Sequence, residues 1–497
     1  MSLALLSSPD SVRSPCLEYL KMRERWELID ALIGGTLAMR AGRAKWLPQE
    51  KMEEPADYES RLGRSVLYNG YGDTIHKLAA KPFGKPITFD ELSSLPEQVQ
   101  WIVKDATRSG QSLKEWAHEA FQEGVHRGLV HALVDYPVVE GDKTLQDVRN
   151  ERIYPYFTLI PATNLLGWKS VVIDGQEVLT EVRIREVRTE SVGKYGQEQC
   201  EYVRVLTPKT WTLYKVENGK ESQVKTGTRT SEKMHLHTWY TEKTGFMTGK
   251  PALEDLAWIN LAHWQSQSDQ RNILRFARLG FLVATGLTAD EQKTNLIVGP
   301  NSVIKLQNPE AKVFYAEHSG KAIAAGDKDL TNLEMKMRIL GLQPLIEGGS
   351  STATGSAIEE SKTHAQAQTW ASEFSVFLMR LFESACEWVQ QPMPPEFKIS
   401  IFTNFAISIR AGLDAQILTT ACQTGKLSDE TYLDEMKRRG FLNEELDIDE
   451  EIKRIKAQPP PPTSTIPPGG DKNGKSADNV SQKPGAAHSN EFPSNQA

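Results

Sequence analysis

Cysteine is scarce and scattered. The four in the chain, Cys16, Cys200, Cys386 and Cys422, form no C-x-x-C pair. Neither a disulfide framework nor a zinc ribbon is expected from them, and such usage fits a reducing cytoplasm. Long apolar runs are missing as well. No stretch reaches the ~18 uninterrupted apolar residues of a membrane-spanning helix. The apolar start Met1–Leu6 has no basic stretch before it and stops at Ser7-Ser8-Pro9-Asp10, unlike a signal peptide. Positive charge is not in excess: 58 Lys and Arg face 65 Asp and Glu, a formal net charge of −7. No overall basic field draws the chain onto nucleic acid or anionic lipid, so any DNA contact has to be local or weak. No repeat of roughly 20–50 residues is present, which excludes solenoids and propellers. What is there is 497 residues, 39% hydrophobic and 25% charged. That suits a soluble, intracellular, acidic protein of two or three domains.

Familiar catalytic signatures are also absent. There is no G-x-S-x-G, H-E-x-x-H or G-x-G-x-x-G in its expected setting. Gly245-Phe246-Met247-Thr248-Gly249-Lys250 resembles a phosphate loop, but its glycines stand one residue too close. Pro251 also replaces the hydroxyl residue that would hold magnesium. His235-Leu236-His237 sets two imidazoles on one face of a strand, where they could hold a metal, but no third ligand is near in sequence. His126 and His131 flank a helix-to-strand junction and read as ordinary, partly buried histidines. No catalytic residue, metal ligand or cofactor is therefore assigned.

Apolar spacing predicts helix over 16–45, with Gly34-Gly35 a weak point and Trp46-Leu47-Pro48 its end. Helical spacing resumes from Asp57 to Leu78, and again from Leu113 to Leu129, before a buried strand at Val130–Val134. From 153 to 241 the texture is β. Alternating runs are punctuated by Asp174-Gly175 and Asn218-Gly219, which predicts an antiparallel sheet or half-barrel with one wet face. Helix returns at Pro251 and runs to Arg278. A β texture follows from Phe281 to Tyr315, with a turn at Gly299-Pro300-Asn301. A strand at Phe397–Phe402 and two short helices between Ala411 and Lys456 complete the ordered part. Beyond Ala457 the chain turns rich in Pro, Gly, Ser and Asn, and 457–497 is expected to be disordered.

The segment from Leu342 to Gln391 reads as short helix, flexible loop and very long helix. The loop, Glu347-Gly348-Gly349-Ser350-Ser351-Thr352-Ala353-Thr354-Gly355, has three glycines, four hydroxyl residues and one charge. Such a segment cannot bury apolar surface. Ser356-Ala357-Ile358-Glu359 then forms an S-x-x-E capping box, and no proline follows until Pro392. A helix of about 35 residues, on the order of 50 Å, is allowed. Trp370, Phe374, Phe377, Leu378, Leu381, Ala385 and Trp388 make its apolar stripe. Upstream, Arg271, Arg275 and Arg278 fall at i, i+4 and i+7, a basic stripe that could face phosphates, though most such stripes are solvated faces or pair with a neighbouring subunit. Trp258, Ile259 and Trp264 on the same helix suit a core or a subunit interface.

Several local signatures occur in a telling order. Trp46-Leu47-Pro48 precedes Glu53-Glu54-Pro55-Ala56-Asp57-Tyr58 and Arg61-Leu62, then Asn69, Thr74-Ile75 and the stretch from Lys81-Pro82 to Lys85-Pro86. Gly128 to Asp135-Tyr136-Pro137, Pro161-Ala162-Thr163-Asn164 to Trp168, and Pro251-Ala252-Leu253-Glu254-Asp255-Leu256 follow. Leu340-Gly341, Thr352-Ala353-Thr354 and Gly425-Lys426-Leu427-Ser428-Asp429-Glu430-Thr431 come last. Over residues 16–456 the chain resembles the portal, or head–tail connector, proteins of tailed bacteriophages. The likeness is to a subgroup often catalogued only as a domain of unknown function. Tyr68-Asn69-Gly70-Tyr71-Gly72 departs from that pattern in being glycine-rich, which bears on helix continuity there.

The resemblance implies an α+β portal fold: a mixed wing, helical stem, small α/β clip, helical crown and disordered C-terminal tail. Residues 1–250 would be the wing, 251–278 the first stem helix, 279–324 the clip and 325–346 the second stem helix. The tunnel loop would be 347–355, with Glu347, Gly348, Gly349, Ser350, Ser351, Thr352 and Thr354 lining a channel. The long wing helix and a strand would occupy 356–410, the crown 411–456 and the tail 457–497. Portals form rings, typically of twelve subunits, at one capsid vertex, through which double-stranded DNA is packaged and ejected without sequence preference. Implied partners are the terminase large subunit, major capsid and scaffolding proteins, and a neck or tail adaptor. Neither membrane nor cofactor is implied. The setting would be the virion, and the host cytoplasm during assembly. A shorter head–tail connector is a second reading in the same setting. A metal- or nucleotide-dependent phage enzyme, nuclease or hydrolase, is the alternative of another class. A DNA-binding regulator built on the helices around Ser428–Gly440 is a third, opposed by Asp429, Glu430, Asp434 and Glu435.

Overall fold

The first helices follow their apolar spacing and break where glycine or asparagine offers another use for the backbone. In the computed structural model, α1 (Leu17–Ile33) and α2 (Gly35–Ala41) are separated at the Gly34-Gly35 weak point, where Gly35 takes φ +72°. The structure describes residues 10–139, 141, 143–231, 233–279, 281–286, 310–316, 320–341, 353–403, 405, 411–438, 441–442 and 446–457. The helix expected over 57–78 is two, α3 (Pro55–Arg64) and α4 (Gly70–Ala80). Asn69 is the reason. Its side-chain oxygen accepts from the Gly72 amide at 2.9 Å, while its amide nitrogen donates to the Leu32 carbonyl at 3.0 Å. The glycine-rich departure at 68–72 is thus a capped helix start.

After β1 (Thr88–Asp90) and the single turn α5 (Glu97–Gln100), α6 (Leu113–Arg127) opens with a capping box between Ser112 and Glu115. It ends at Gly128, φ +89°, where an added Cβ would lie 2.1 Å from the Lys250 carbonyl oxygen. Only glycine fits that turn. The chain then enters β2 (Leu129–Asp135), followed by α7 (Leu145–Asn150) and β3 (Tyr156–Pro161).

Next come β4 (Leu165–Ile173), β5 (Gln176–Val192), β6 (Gly196–Leu206), β7 (Thr210–Glu217) and β8 (Lys220–Thr228). They form a five-stranded antiparallel meander in sequence order. Its Asp174-Gly175 and Asn218-Gly219 corners have positive φ at both residues, as tight hairpin turns require. One face near the base packs Leu165, Leu179, Val182, Ile184 and Leu206 into an apolar cluster. The far ends carry exposed Val172, Val187 and Tyr195. A second sheet, in the order β3-β2-β9 with β9 spanning Leu236–Tyr240, sets β2 at its centre. Six of the seven residues of β2 are buried.

Short strands β10 (Lys243–Gly245) and β11 (Thr248–Gly249) lead to α8 (Glu254–Leu279). That helix starts three residues after Pro251, whose carbonyl instead accepts from the Glu254 amide. An antiparallel pair, β12 (Phe281–Thr285) and β13 (Lys312–Ala316), precedes α9 (Lys321–Leu340). The predicted turn Gly299-Pro300-Asn301 lies outside the described residues, as do residues 342–346 of the expected second stem helix. Helix α9 starts at Lys321, four residues before the expected 325, behind Gly320 at φ +72°.

Helix α10 (Ala353–Trp388) starts three residues before the expected Ser356. Ala353 is a strong helix former, and with it Thr354 and Gly355 enter the first turn. Ser356 and Glu359 then lie inside the helix, where they cannot cap its start. The expected stripe is buried: Trp370, Phe374, Phe377, Leu378, Leu381 and Ala385 all lie in the main core. Phe374 meets Phe121 of α6 at 5.3 Å and Trp239 of β9 at 4.8 Å between ring centroids, and Phe382 meets Phe157 of β3 at 5.7 Å. Strand β14 (Lys398–Ser400) pairs with β1.

The described residues from 411 to 457 belong to a second compact unit. It holds α11 (Ala411–Gln423), α12 (Asp429–Arg438) and α13 (Ile448–Ala457), three helices where two were expected. Gly425 at φ +68° ends the first, Ser428 caps the second by accepting from the Thr431 amide, and Asp447 caps the third. The expected tail beyond Ala457 lies outside the described residues. Helices packed beside purely antiparallel sheets make the fold α+β. No described helix is long and apolar enough to cross a membrane.

Candidate functional site

The Trp46-Leu47-Pro48 signature works through its backbone. Its three carbonyl oxygens accept in turn from Gln265 Nε2 at 3.0 Å, Tyr58 Oη at 3.0 Å and Arg61 Nη2 at 2.8 Å. Arg61 also grips Glu53 through Nε and Nη2 at 2.7 and 2.8 Å, a forked pair that is nearly buried. That contact holds the Glu53 carboxyl below the usual range. Glu53, Tyr58 and Arg61, residues of the acidic Tyr-containing signature, thus clamp the turn onto α3, and Gln265 ties it to α8. A second clamp is Asn260, fully buried on α8. Its oxygen accepts from the Tyr71 amide at 2.9 Å and its nitrogen donates to the Tyr68 carbonyl at 2.8 Å, tying α8 to the start of α4.

So anchored, α8 runs antiparallel to α9. His263 faces Glu334 at 3.5 Å, Ser266 donates to Asp329 at 2.7 Å, and Gln270 donates to the Ile323 carbonyl at 2.8 Å. Gly326 allows that last approach, since a Cβ there would overlap the Gln270 side chain. The root of the hairpin is apolar, with Leu256, Leu261, Trp264 and Met337 buried. Beyond Trp264 the buried side chains of α8, among the described residues, are polar: Ser268 and Gln270. Burial keeps the His263 pKa below the ordinary imidazole value. Trp258 is half exposed and Trp264 fully buried, so the two tryptophans of this helix do different work.

The stripe Arg271, Arg275 and Arg278 does come together. It lines one wall of a groove of about 800 Å³ whose other wall is Arg61, Arg64 and Ser65 of the α3 end, with Ser268 between. Ser65 and Ser268 share a hydrogen bond of 2.9 Å on the groove's floor. Among the described residues, Arg64, Arg271, Arg275 and Arg278 have no carboxylate within ion-pair distance, whereas Arg61 is neutralised by Glu53. Four unmatched guanidinium groups on one groove suit a polyanion or an acidic protein face. Sequence reasoning missed Arg61, Arg64, Ser65 and Ser268 as parts of this groove.

Of the loop residues, Glu347, Gly348, Gly349, Ser350, Ser351 and Thr352 lie outside the described residues, and Thr354 lies in the first turn of α10. The remaining candidates resolve individually. His235 Nε2 meets Ser231 Oγ and His237 Nε2 meets Ser384 Oγ, each at 2.7 Å. Each imidazole thus has its own hydroxyl partner, and burial lowers both pKa values to about 4. Among the described residues no three His, Cys, Asp or Glu side chains gather as a metal site needs. His126 contacts Asp30 at 3.0 Å, and His131 contacts Thr238 at 2.8 Å. Gly245–Lys250 forms a tight β10–β11 hairpin rather than a strand–loop–helix, with Met247 in an apolar cluster and Lys250 paired to Glu242 at 2.7 Å.

Chains in gene transfer agent (GTA) particles are similar at low identity. One belongs to the neck of an empty GTA particle computed with C6 symmetry: 9% identity and TM-score 0.43 over 74% of this chain and 89% of that one. Another, from the virion of a native GTA particle, gives 11% and 0.40 over 80% and 97%. A third, from the neck of a native particle computed with C12 symmetry, gives 11% and 0.37 over 86% and 100%. Backbone agreement at that level is partial, so the weight stays on this chain's own residues. No curated protein matches the chain. Residues 252–389, from the start of α8 to the end of α10, match the family model described as a domain of unknown function (DUF4055). The helical hairpin and the long helix thus carry the signature of a domain of unknown function, as the order of motifs led one to expect.

Proposed function

We propose that the chain is a portal subunit. Copies close into a ring at one capsid vertex, double-stranded DNA passes through the hole during packaging and ejection, and the ring docks the terminase motor and later a neck or tail adaptor. One observation carries this reading: the antiparallel α8–α9 hairpin with a β12–β13 pair between its helices, followed after 342–352 by the 36-residue α10. That is the order of stem, clip, stem, tunnel loop and wing helix which the sequence motifs imply. Residues 411–456 are then the crown.

In this assignment Glu347, Gly348, Gly349, Ser350, Ser351, Thr352 and Thr354 border the passage. Small hydroxyl side chains touch a moving duplex without gripping it, and a net charge of −7 offers no general phosphate sink. A head-to-tail contact with a closing rotation gives a ring without further devices. Negative-stain imaging of the purified full chain tests the reading. Rings with a central hole are expected; a compact monomer at micromolar concentration overturns it. Glu347→Lys in an infectious particle should leave rings intact and impair packaging or ejection.

A further inference from the structure

A second hollow, of about 630 Å³, opens where β2 ends, between the five-stranded sheet and the C-terminal end of α10. Leu133, Leu206 and Leu213 give it apolar walls, and Pro137-Val138-Val139 run along its rim, Val138 being 77% exposed. Four cations line it. Arg188 and Arg204 are each matched by Glu186 at 2.6 Å, and Arg204 lies 3.8 Å from Asp135. Lys225 lies over the Trp211 ring at 5.8 Å. Among the described residues two carboxylates, Glu186 and Asp135, therefore answer four positive charges.

Arg229 stands apart from the other three. Among the described residues no carboxylate pairs with it. Nη1 reaches only the Thr207 carbonyl at 3.4 Å and the Met234 sulfur at 3.5 Å, while Nη2 is buried with no hydrogen-bond partner. Its carbon lies 5.6 Å from the Trp388 ring centre, and burial lowers its pKa. A buried guanidinium nitrogen without an acceptor is costly unless something arrives to satisfy it.

The surroundings narrow what can arrive. Trp388 already contacts Tyr136 at 5.9 Å, nearly parallel, and His235 at 5.2 Å, as well as Arg229, so its ring is not free to hold a nucleobase. Arg229 lines the hollow while Nη2 itself is covered, so an acceptor meets it only when the guanidinium turns into the hollow, which a single entering side chain can meet and the backbone of a duplex cannot. We propose that this hollow docks an aspartate or glutamate side chain from an extended acidic segment of a partner protein. The carboxylate sits on Arg229, and an aliphatic neighbour lies against Leu213 and the Pro137–Val139 rim. The inference rests on the hollow's own lining and does not depend on the portal assignment.

Calorimetric titration of the full chain with a capped pentapeptide of alternating valine and glutamate tests this, with the glutamine counterpart as control. The glutamate peptide should bind at least about tenfold tighter than the control, and Arg229→Met should remove that difference. Arg229→Met should also raise the melting temperature of the free chain by a few degrees, because an unsatisfied buried charge is gone. Arg229→Lys should retain part of the discrimination. Equal binding of the two peptides overturns the proposal, and so does an Arg229→Met chain that melts lower while still discriminating. Tighter binding of inorganic phosphate than of the peptide reassigns the hollow to a free anion and overturns it too. Loss of self-association in Arg229→Met, without added peptide, makes a second copy the occupant and overturns a separate partner.

Discussion

Helices α10 and α8 are both long and both anchored in the same unit, yet they are seated by opposite means. Around α10 the buried residues are Phe374, Phe377, Leu378 and Leu381, interlocked with Phe121, Phe157 and Trp239. Most of their seat is close-packed hydrocarbon, strong per residue, with few hydrogen bonds to other elements among the described residues. Along α8 the apolar seat, Leu256, Leu261 and Trp264, serves only the root, and the groups that bridge to neighbouring elements beyond it are polar: Ser266, Ser268 and Gln270, with Asn260 already polar within the root. Such contacts contribute little net energy each but fail badly when misaligned. The lesson is a division of labour: α10 supplies stability, and the α8–α9 pair supplies a fixed register.

The comparison can be broken hardest at its apolar end. Phe374→Ala should cost about 3–5 kcal/mol in urea unfolding of residues 1–409, since its ring touches four other aromatic side chains. Arg61→Met should come next, at about 3 kcal/mol, because Glu53 and the Pro48 carbonyl lose a nearly buried partner. Arg61→Lys should not rescue it, as an ammonium cannot fork onto both. Gln270→Leu should cost only about 1–2 kcal/mol, yet hydrogen exchange along α8 and α9 should rise well before that of α10.

The last effect is small at neutral pH and grows with acid. Burial holds His131 at about 3, and His235 and His237 at about 4, below the ordinary 6.5. The unfolded chain therefore binds more protons than the folded one throughout that interval. Stability is full above about pH 6.5 and is lost as pH falls towards 4 and then 3. Denaturation series at pH 7, 6 and 5 should show the loss, and His131→Gln should flatten it.

Much of this contrast was legible. The stripe of α10 and the Asp-Gly and Asn-Gly corners of the meander are local patterns that periodicity and turn chemistry expose. The spacing of Arg271, Arg275 and Arg278 is equally local. What stayed hidden comes from distant segments or from the main chain. Nothing in the sequence joins Arg64 to Arg271, because α3 and α8 meet only through tertiary packing. Trp46-Leu47-Pro48 stood out as a signature, but carbonyl acceptors leave no mark in side-chain identity. Gly425 and Ser428 were seen as a motif and not as the break that makes three helices of two.

Two indoles fasten α10 to the β framework. Trp370 Nε1 donates to the Thr241 carbonyl at 3.1 Å and Trp388 Nε1 to the Val134 carbonyl at 3.0 Å. They stand about 27 Å apart along the helix axis. Both bonds end on main-chain carbonyls, one a residue past β9 and the other in β2, so they fix how far α10 lies along its own axis against the strands. A slip of the helix by a single turn, ~5.4 Å, loses both bonds together.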